Sequence, residues 1–235
     1  MLGTIANVIL ILAGGAAGLI FKNKLNKKTA DALTAAMGLA VLVIGITGAI
    51  KSEDLLCMIV SLAAGTIAGE LADIEKRLDS AGNALKKLFV RLSGKEESRF
   101  TEGFVSASLL YCVGAMAVMG SLEAGVNQNY TILISKGIID CVISVTLAAA
   151  MGVGVLFSAL TVGLYQGGLT LLAEWVAPFI SQEALTEMSS AGGVVIIGIA
   201  VNMLGLTKER LRVGNMLPAA FVPLAYVPLK MLLFG

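Results

Sequence analysis

Charged residues in this chain are confined to a few short segments, and the stretches between them are apolar for about 18 residues or more, the length that crosses roughly 30 Å of hydrocarbon as a helix. Eight such stretches run over approximately 2–21, 33–50, 55–71, 103–122, 131–150, 152–173, 191–206 and 214–233. Only 14% of the residues are charged and 57% are hydrophobic, too few charges to cover a water-facing surface. The expected fold is therefore all-α and polytopic, with about eight transmembrane helices in one integral membrane domain whose partner is the lipid bilayer.

The placement of lysine and arginine orients the bundle. With the N-terminus outside, the inner connectors hold Lys22, Lys24, Lys27 and Lys28, then Lys76, Arg77, Lys86, Lys87, Arg91, Lys95 and Arg99, then Lys208, Arg210 and Arg212. This leaves only Lys51, Lys136 and Lys230 of the 17 basic residues on the outer half, which satisfies the positive-inside rule. Both termini are then expected outside. The basic cluster follows the first apolar run instead of preceding it, so that run reads as a retained span and not as a cleaved leader.

The long polar segment, 74–99, places Ile74, Leu78, Ala81, Leu85, Leu88, Phe89 and Leu92 on one helical face, with Lys86, Lys87 and Arg91 turned away. That pattern predicts a helix lying on the inner membrane surface. Such a helix serves as a lipid-sensing or gating element, or as a connector that floats its apolar side in the interface.

Matches at one constant offset relate the two ends of the chain: Gly14-Gly15 to Gly167-Gly168, and Ile44-Gly45-Ile46 to Ile197-Gly198-Ile199. Five spans separate the matched segments. An odd separation means that the copies cross the membrane in opposite directions, the arrangement of inverted repeats. The expected organisation is 1–82 as repeat one, 83–153 as the interfacial helix with a central pair of spans, and 154–235 as inverted repeat two.

Asp140 falls midway along the fifth apolar run, where an ionised group costs about 2.5–3.5 kcal/mol on insertion scales and requires a partner or water. Lys136 stands one turn earlier on the same helical face. The pair reads either as a cation or proton site or as a structural ion pair closing the bundle. Asn7, Gln166 and Asn202 add neutral hydrogen-bonding groups within spans one, six and seven. Gly167-Gly168, beside Gln166, is expected to unwind span six and free carbonyls toward a cavity. Asp140, Lys136, Gln166, Asn7, Asn202 and Gly167 thus form the candidate ion or solute path.

Pro218, Pro223 and Pro228 predict a kinked or broken last span. Gly14-x3-Gly18, Gly65-x3-Gly69 and Gly163-x3-Gly167 let helix backbones approach closely, either within the subunit or along the seam of a homo-oligomer, a dimer in the simplest case. With no histidine, imidazole ligation and Ser-His or Cys-His catalysis are excluded. Cys57, Cys112 and Cys141 lack metal-ligand spacing. No nucleotide, hydrolase or zinc-protease motif is present. Neither an enzyme nor a metal or other cofactor is expected, and the basic face is too small for a nucleic-acid partner.

Over essentially its whole length the chain resembles the bacterial membrane family catalogued as domain of unknown function 554. The similar stretches are Gly3 to Asn7 with Gly14, Gly15 and Gly18, Gly114 to Ala117, Gly120 to Gly125, Lys136 with Asp140, Gly152-Val153-Gly154 with Phe157-Ser158-Ala159, and Gln166-Gly167. The resemblance implies a bacterial inner-membrane protein, often described as a transporter, and brings no established substrate. Two functions therefore compete: a secondary transporter or channel-like protein for a small ion or solute, and a non-transporting membrane scaffold or sensor.

Overall fold

The structure, a computed structural model, describes residues 1–22, 27–94 and 98–234; Lys24 and Lys95 of the basic connectors lie outside them. Every regular element among the described residues is helical. In hydrocarbon no water satisfies a backbone N–H or C=O, so an apolar run of this length closes its own hydrogen bonds as a helix. The elements are α1 (Leu2–Lys22), α2 (Lys27–Ala49), α3 (Leu55–Ala72), α4 (Ile74–Ser93), α5 (Phe100–Cys112), α6 (Ala115–Val126), α7 (Thr131–Met151), α8 (Gly154–Leu171), α9 (Ala173–Val176), α10 (Gln182–Leu204), α11 (Val213–Met216) and α12 (Pro223–Phe234). Among the described residues seven segments are long and apolar enough to cross a membrane, and α5 with α6 makes an eighth if that bent pair is one span. Their large apolar side chains, among them Ile9, Leu39, Val43, Ile67, Val142 and Leu164, stand exposed around the bundle, a surface suited to lipid and not to water.

The helices follow the apolar runs, but two spans are interrupted. Between α5 and α6 the axis bends by 61° at Gly114, whose φ of 122° and ψ of 151° are a conformation reserved for glycine. The last span is broken as the prolines predict: Pro218 lies in the 3-10 turn Leu217–Ala220 between α11 and α12, and Pro223 opens α12. The expected unwinding at Gly167-Gly168 does not occur. Helix α8 continues through both glycines to Leu171, and Gly167 faces the start of α1, where an added Cβ would meet Met1 Cε at 3.7 Å.

Close backbone packing holds the bundle together, because lipid tails compete with apolar side chains and leave fit and hydrogen bonding to decide association. A Cβ at Gly14 or Gly18 would stand 2.2 Å from the carbonyl oxygen of Cys141 or Val145, which seats α1 on α7. Gly65 and Gly69 meet Ala219 and Asn215 in the same way, seating α3 on the broken last span, while Gly45 and Gly48 cross Gly193 between α2 and α10. These glycine stripes are thus used within the chain. At the centre runs α5, buried from Gly103 to Cys112 among α4, α7, α8 and α10.

Helix α4 turns out of α3 at Asp73, whose φ of 47° makes the corner. Its apolar face is divided between two surroundings: Leu78, Leu85 and Phe89 pack on the protein core, with Phe89 against Phe100 and Phe157, whereas Leu88 and Leu92 are exposed. The helix packs across the starts of α5, α8 and α11. Arg212 joins Glu70 and Asp73 on this face. Arg99 pairs with Glu102 and reaches Asp31, Thr34 and the carbonyl of Ala150, tying α5 to α2 and α7.

At the opposite face, fully buried Glu187 of α10 accepts hydrogen bonds from Ser52 Oγ at 2.9 Å and from the amides of Glu53 and Asp54 at 2.8 and 3.0 Å. These are the unpaired donors ahead of α3. Asp54 caps α3 through the Cys57 amide, and its other oxygen accepts from Lys230 Nζ at 2.7 Å. The Lys230 ammonium holds the Asp54 carboxyl below its ordinary range.

Two outcomes follow from this packing. Gly14→Ala and Gly69→Ala force backbones apart and are expected to lower thermal stability in detergent by about 1–3 kcal/mol or more, whereas Gly168→Ala, with open space around the new methyl, changes it by less than about 0.5 kcal/mol. Because the folded state depresses Asp54, its stabilisation is full above the ordinary carboxylate pKa and is lost as pH falls through the lower folded value. Melting scans from neutral to strongly acidic pH should show this acid loss in the native protein and less of it in Asp54→Asn.

Candidate ion-pair site in the membrane

Asp140 stands nine residue steps along α7 from Thr131, about 14 Å of helix at 1.5 Å per residue, which sets the carboxylate near the middle of the hydrocarbon. One turn back, Lys136 Nζ donates to Asp140 Oδ2. Both residues are almost fully buried, at 6% and 4% exposure, so neither charge is left to water. The ammonium also stands 5.8 Å from the ring centre of Tyr111, a favourable position over the electron-rich face. Tyr111 belongs to central α5, and its hydroxyl is 2.7 Å from Ser144 Oγ, one turn beyond Asp140. Thus α7 presents a continuous polar edge, from Lys136 through Asp140 to Ser144, toward α5.

One side of this edge opens on a cavity of about 380 Å³. Its wall is built by Val43, Ile44 and Thr47 of α2, Leu110 and Val113 before the α5–α6 break, Lys136, Ile139 and Asp140 of α7, and Gly193 and Ile196 of α10; Val43, Ile44 and Ile139 are also exposed at the lipid-facing surface, where the cavity opens sideways. The break is what makes the space: Gly114 carries no side chain, and α6 leaves the axis of α5 there. Lys51, Met116 and Ser189 are shared with a neighbouring cavity of about 400 Å³ that extends toward Gln182 and Thr186 at the start of α10. The route from Asp140 therefore leads toward the face of the bundle that carries the α2–α3 turn.

The other side of the edge meets α1 and α8. Asn7 Nδ2 donates to Gln166 Oε1 at 3.1 Å, both residues have no exposed surface, and the Asn7 amide lies against Gly137 and faces Asp140. Nearer the membrane surface Thr4 and Thr170 bring their hydroxyls to 3.4 Å. Of the six residues singled out in the sequence, Asp140, Lys136, Asn7, Gln166 and Gly167 therefore gather around α1, α7 and α8. Asn202 stands apart. It bridges the end of α10 to the loop that follows, with Nδ2 donating to the carbonyl of Leu211 and Oδ1 accepting its amide, on the α4 side of the bundle. There it borders a second opening of about 380 Å³ with Glu102, Ser106 and Lys208.

Sequence reasoning did not single out Tyr111, Ser144 or the α2 and α10 walls, because nothing in an apolar run tells which face will meet a distant helix. Glu187 gave no such signal, because it falls in the polar connector ahead of the apolar run 191–206; the structure buries its carboxylate, which then requires donors. The donors are the backbone amides of the α2–α3 turn.

Removing one member of the pair strands the other. Lys136→Met is expected to destabilise the detergent-solubilised protein by about 3–5 kcal/mol, and adding Asp140→Leu to it should recover much of that loss. Strictly additive losses in a double-mutant unfolding cycle would show that the two side chains do not depend on each other.

The chain matches the family model described as "Protein of unknown function (DUF554)" over residues 2–227. It is 31% identical over 227 residues to "Uncharacterized membrane protein YdfK" of Bacillus subtilis (strain 168), covering 95% of this chain and 94% of that protein. It is 26% identical over 221 residues to "Uncharacterized protein YqgA" of Escherichia coli (strain K12), covering 93% of each. No solved structure matches it. A polytopic helical membrane protein that aligns with this family from the start of α1 into α12, the chain belongs to DUF554.

Proposed function

We propose that the protein is a secondary transporter or channel-like protein for a small ion or solute, whose path runs through the cavity beside Lys136 and Asp140. The observation that carries this reading is that a cavity of about 380 Å³ reaches a charged pair in the middle of the membrane. A pair serving only to lock helices together needs no such space.

The arrangement of the two openings supports the reading. Leu110 lines the cavity at Asp140 and Ser106 lines the opening on the α4 side, so about 6 Å of α5 separates them; along α10, Ile196 and Met203 are about 10 Å apart. Ala107, Leu109 and Ile199 are buried in that partition. A thin apolar barrier between two facing openings is what an alternating-access protein requires, because a small rocking of helices moves it from one side of the site to the other.

An inverted repeat would supply that motion. Helix α1 packs on α7 as α8 packs on α5, and α2 crosses its counterpart α10 at glycines, relations expected if spans one to three and six to eight are copies about a central pair. The basic residues around α4 support an orientation with that face inside a bacterial inner membrane and both termini outside.

Proteoliposomes containing the full chain test this reading. Flux of at least one small ion or solute is expected, with Asp140→Asn altering its rate or pH dependence. Flux unchanged in that variant would remove Asp140 from the mechanism, and no movement of any screened ion or solute would overturn the reading.

A further inference from the structure

Helix α7 shows Lys136 and Asp140 to two different environments. On one side lies the cavity, walled mainly by apolar side chains of α2, α5, α7 and α10, with the exposed ammonium of Lys51 at its mouth. On the other side lies the narrow polar seam of α1 and α8. Two atoms in that seam, Asn7 Oδ1 and Gln166 Nε2, are fully buried and lack a protein partner. One is an acceptor and the other a donor, so the seam keeps hydrogen-bonding capacity that water can use.

The seam has a direction. Along α1, Thr4 stands about 3 Å and Asn7 about 8 Å from Leu2, and along α7 Asp140 stands about 14 Å from Thr131. The rungs Thr4–Thr170, Asn7–Gln166 and Asp140 therefore descend from the membrane face to its middle, and no residue of the cavity wall belongs to the two outer rungs. The Thr4 and Thr170 hydroxyls, and water on the free Asn7 and Gln166 atoms, accept and donate a proton, but the full burial of Asn7 and Gln166 leaves no open passage for a solute.

Charge then selects what the cavity holds. Tyr111 and Cys112 face the pair from α5, Cys141 follows Asp140 on α7, Lys51 looks in from the α2–α3 turn, and α1, α8 and α10 contribute only the neutral Asn7, Gln166 and Ser189. As an ion pair the site is neutral. A cation added at Asp140 would leave a net positive charge in a mostly apolar space beside the Lys136 ammonium, with a second ammonium at the mouth, and desolvation opposes that. A proton added to Asp140 removes the counterion of Lys136, and an anion then restores neutrality.

Resting on the transport reading above, we propose that the protein carries a small monovalent organic anion together with one proton: Asp140 receives the proton along the α1–α7–α8 seam, and the anion replaces Asp140 as the partner of Lys136 in the cavity. The step balances. One O–H bond forms on the Asp140 carboxylate, Lys136 stays an ammonium, no bond in the solute breaks, and release of proton and anion on the other side restores the ion pair. The apolar wall accommodates the carbon portion of the solute, and the net movement is electroneutral.

The full chain in proteoliposomes of neutral lipid, with a pH-sensitive dye inside, provides the test. Methanesulfonate and propanesulfonate serve as probes, since they remain charged at every working pH and do not leak as neutral acids; potassium and choline are the cation controls. An inward sulfonate gradient is expected to acidify the lumen, with a rate unaffected by clamping the membrane voltage. In Asp140→Asn, sulfonate uptake should persist without acidification and become voltage-dependent. Lys136→Gln should lose uptake, and Asn7→Leu with Gln166→Leu should slow proton entry. Sulfonate uptake without proton movement in the native protein, or movement of only cations or neutral solutes, would overturn this inference and leave transport standing, whereas no flux of any solute would overturn both. If Asp140→Asn fails to fold, the native sulfonate and proton measurements decide alone.

Discussion

Hydrocarbon offers no hydrogen bonds, and most of this structure follows from that constraint. Backbone groups are satisfied inside helices, charges are driven to helix ends or into pairs, and association is left to close fit. The fit is visible where α1 sits on α7 through Gly14 and Gly18, where α3 sits on the last span through Gly65 and Gly69, and where α2 crosses α10 at Gly193. Remove the side chain at such points and backbones touch. The packing energy then comes from many short contacts that lipid cannot duplicate.

The same constraint makes the exceptions informative. Gly114 interrupts a buried span, the prolines interrupt the last one, and a lysine and an aspartate stand at mid-membrane. The Gly114 break and the charged pair fall near one another, because the α5–α6 break borders the cavity whose wall holds Lys136 and Asp140. Their proximity ties the irregular backbone to the charged pair.

Much of the site was legible because it is local. Lys136 and Asp140 are four residues apart on one helix, so any helical reading places them together, and the apolar runs on both sides require the helix. Asn7 and Gln166 were legible only as polar groups in apolar surroundings; that they meet depends on the packing of α1 against α8. Asn202 had the same signature, yet it closes the turn after α10, since it lies two residues from that helix's last residue and within reach of the Leu211 backbone. The Gly167-Gly168 pair suggested unwinding, but α8 continues through both glycines to Leu171. Gly114 drew no notice as a break, although it alone has the backbone freedom that the bend uses.

Hydrophobic run length and charge placement by themselves determined that this is a polytopic helical membrane protein, where its spans fall and which residue pair lies at their middle. These properties depend on transfer from water to hydrocarbon, which acts on each residue in its own segment. Which helix each glycine touches, what Glu187 holds, where α4 rests and the existence of a cavity at Asp140 were decided only by tertiary structure. They depend on contacts between residues far apart in the chain, and such contacts leave no period in the sequence that declares them.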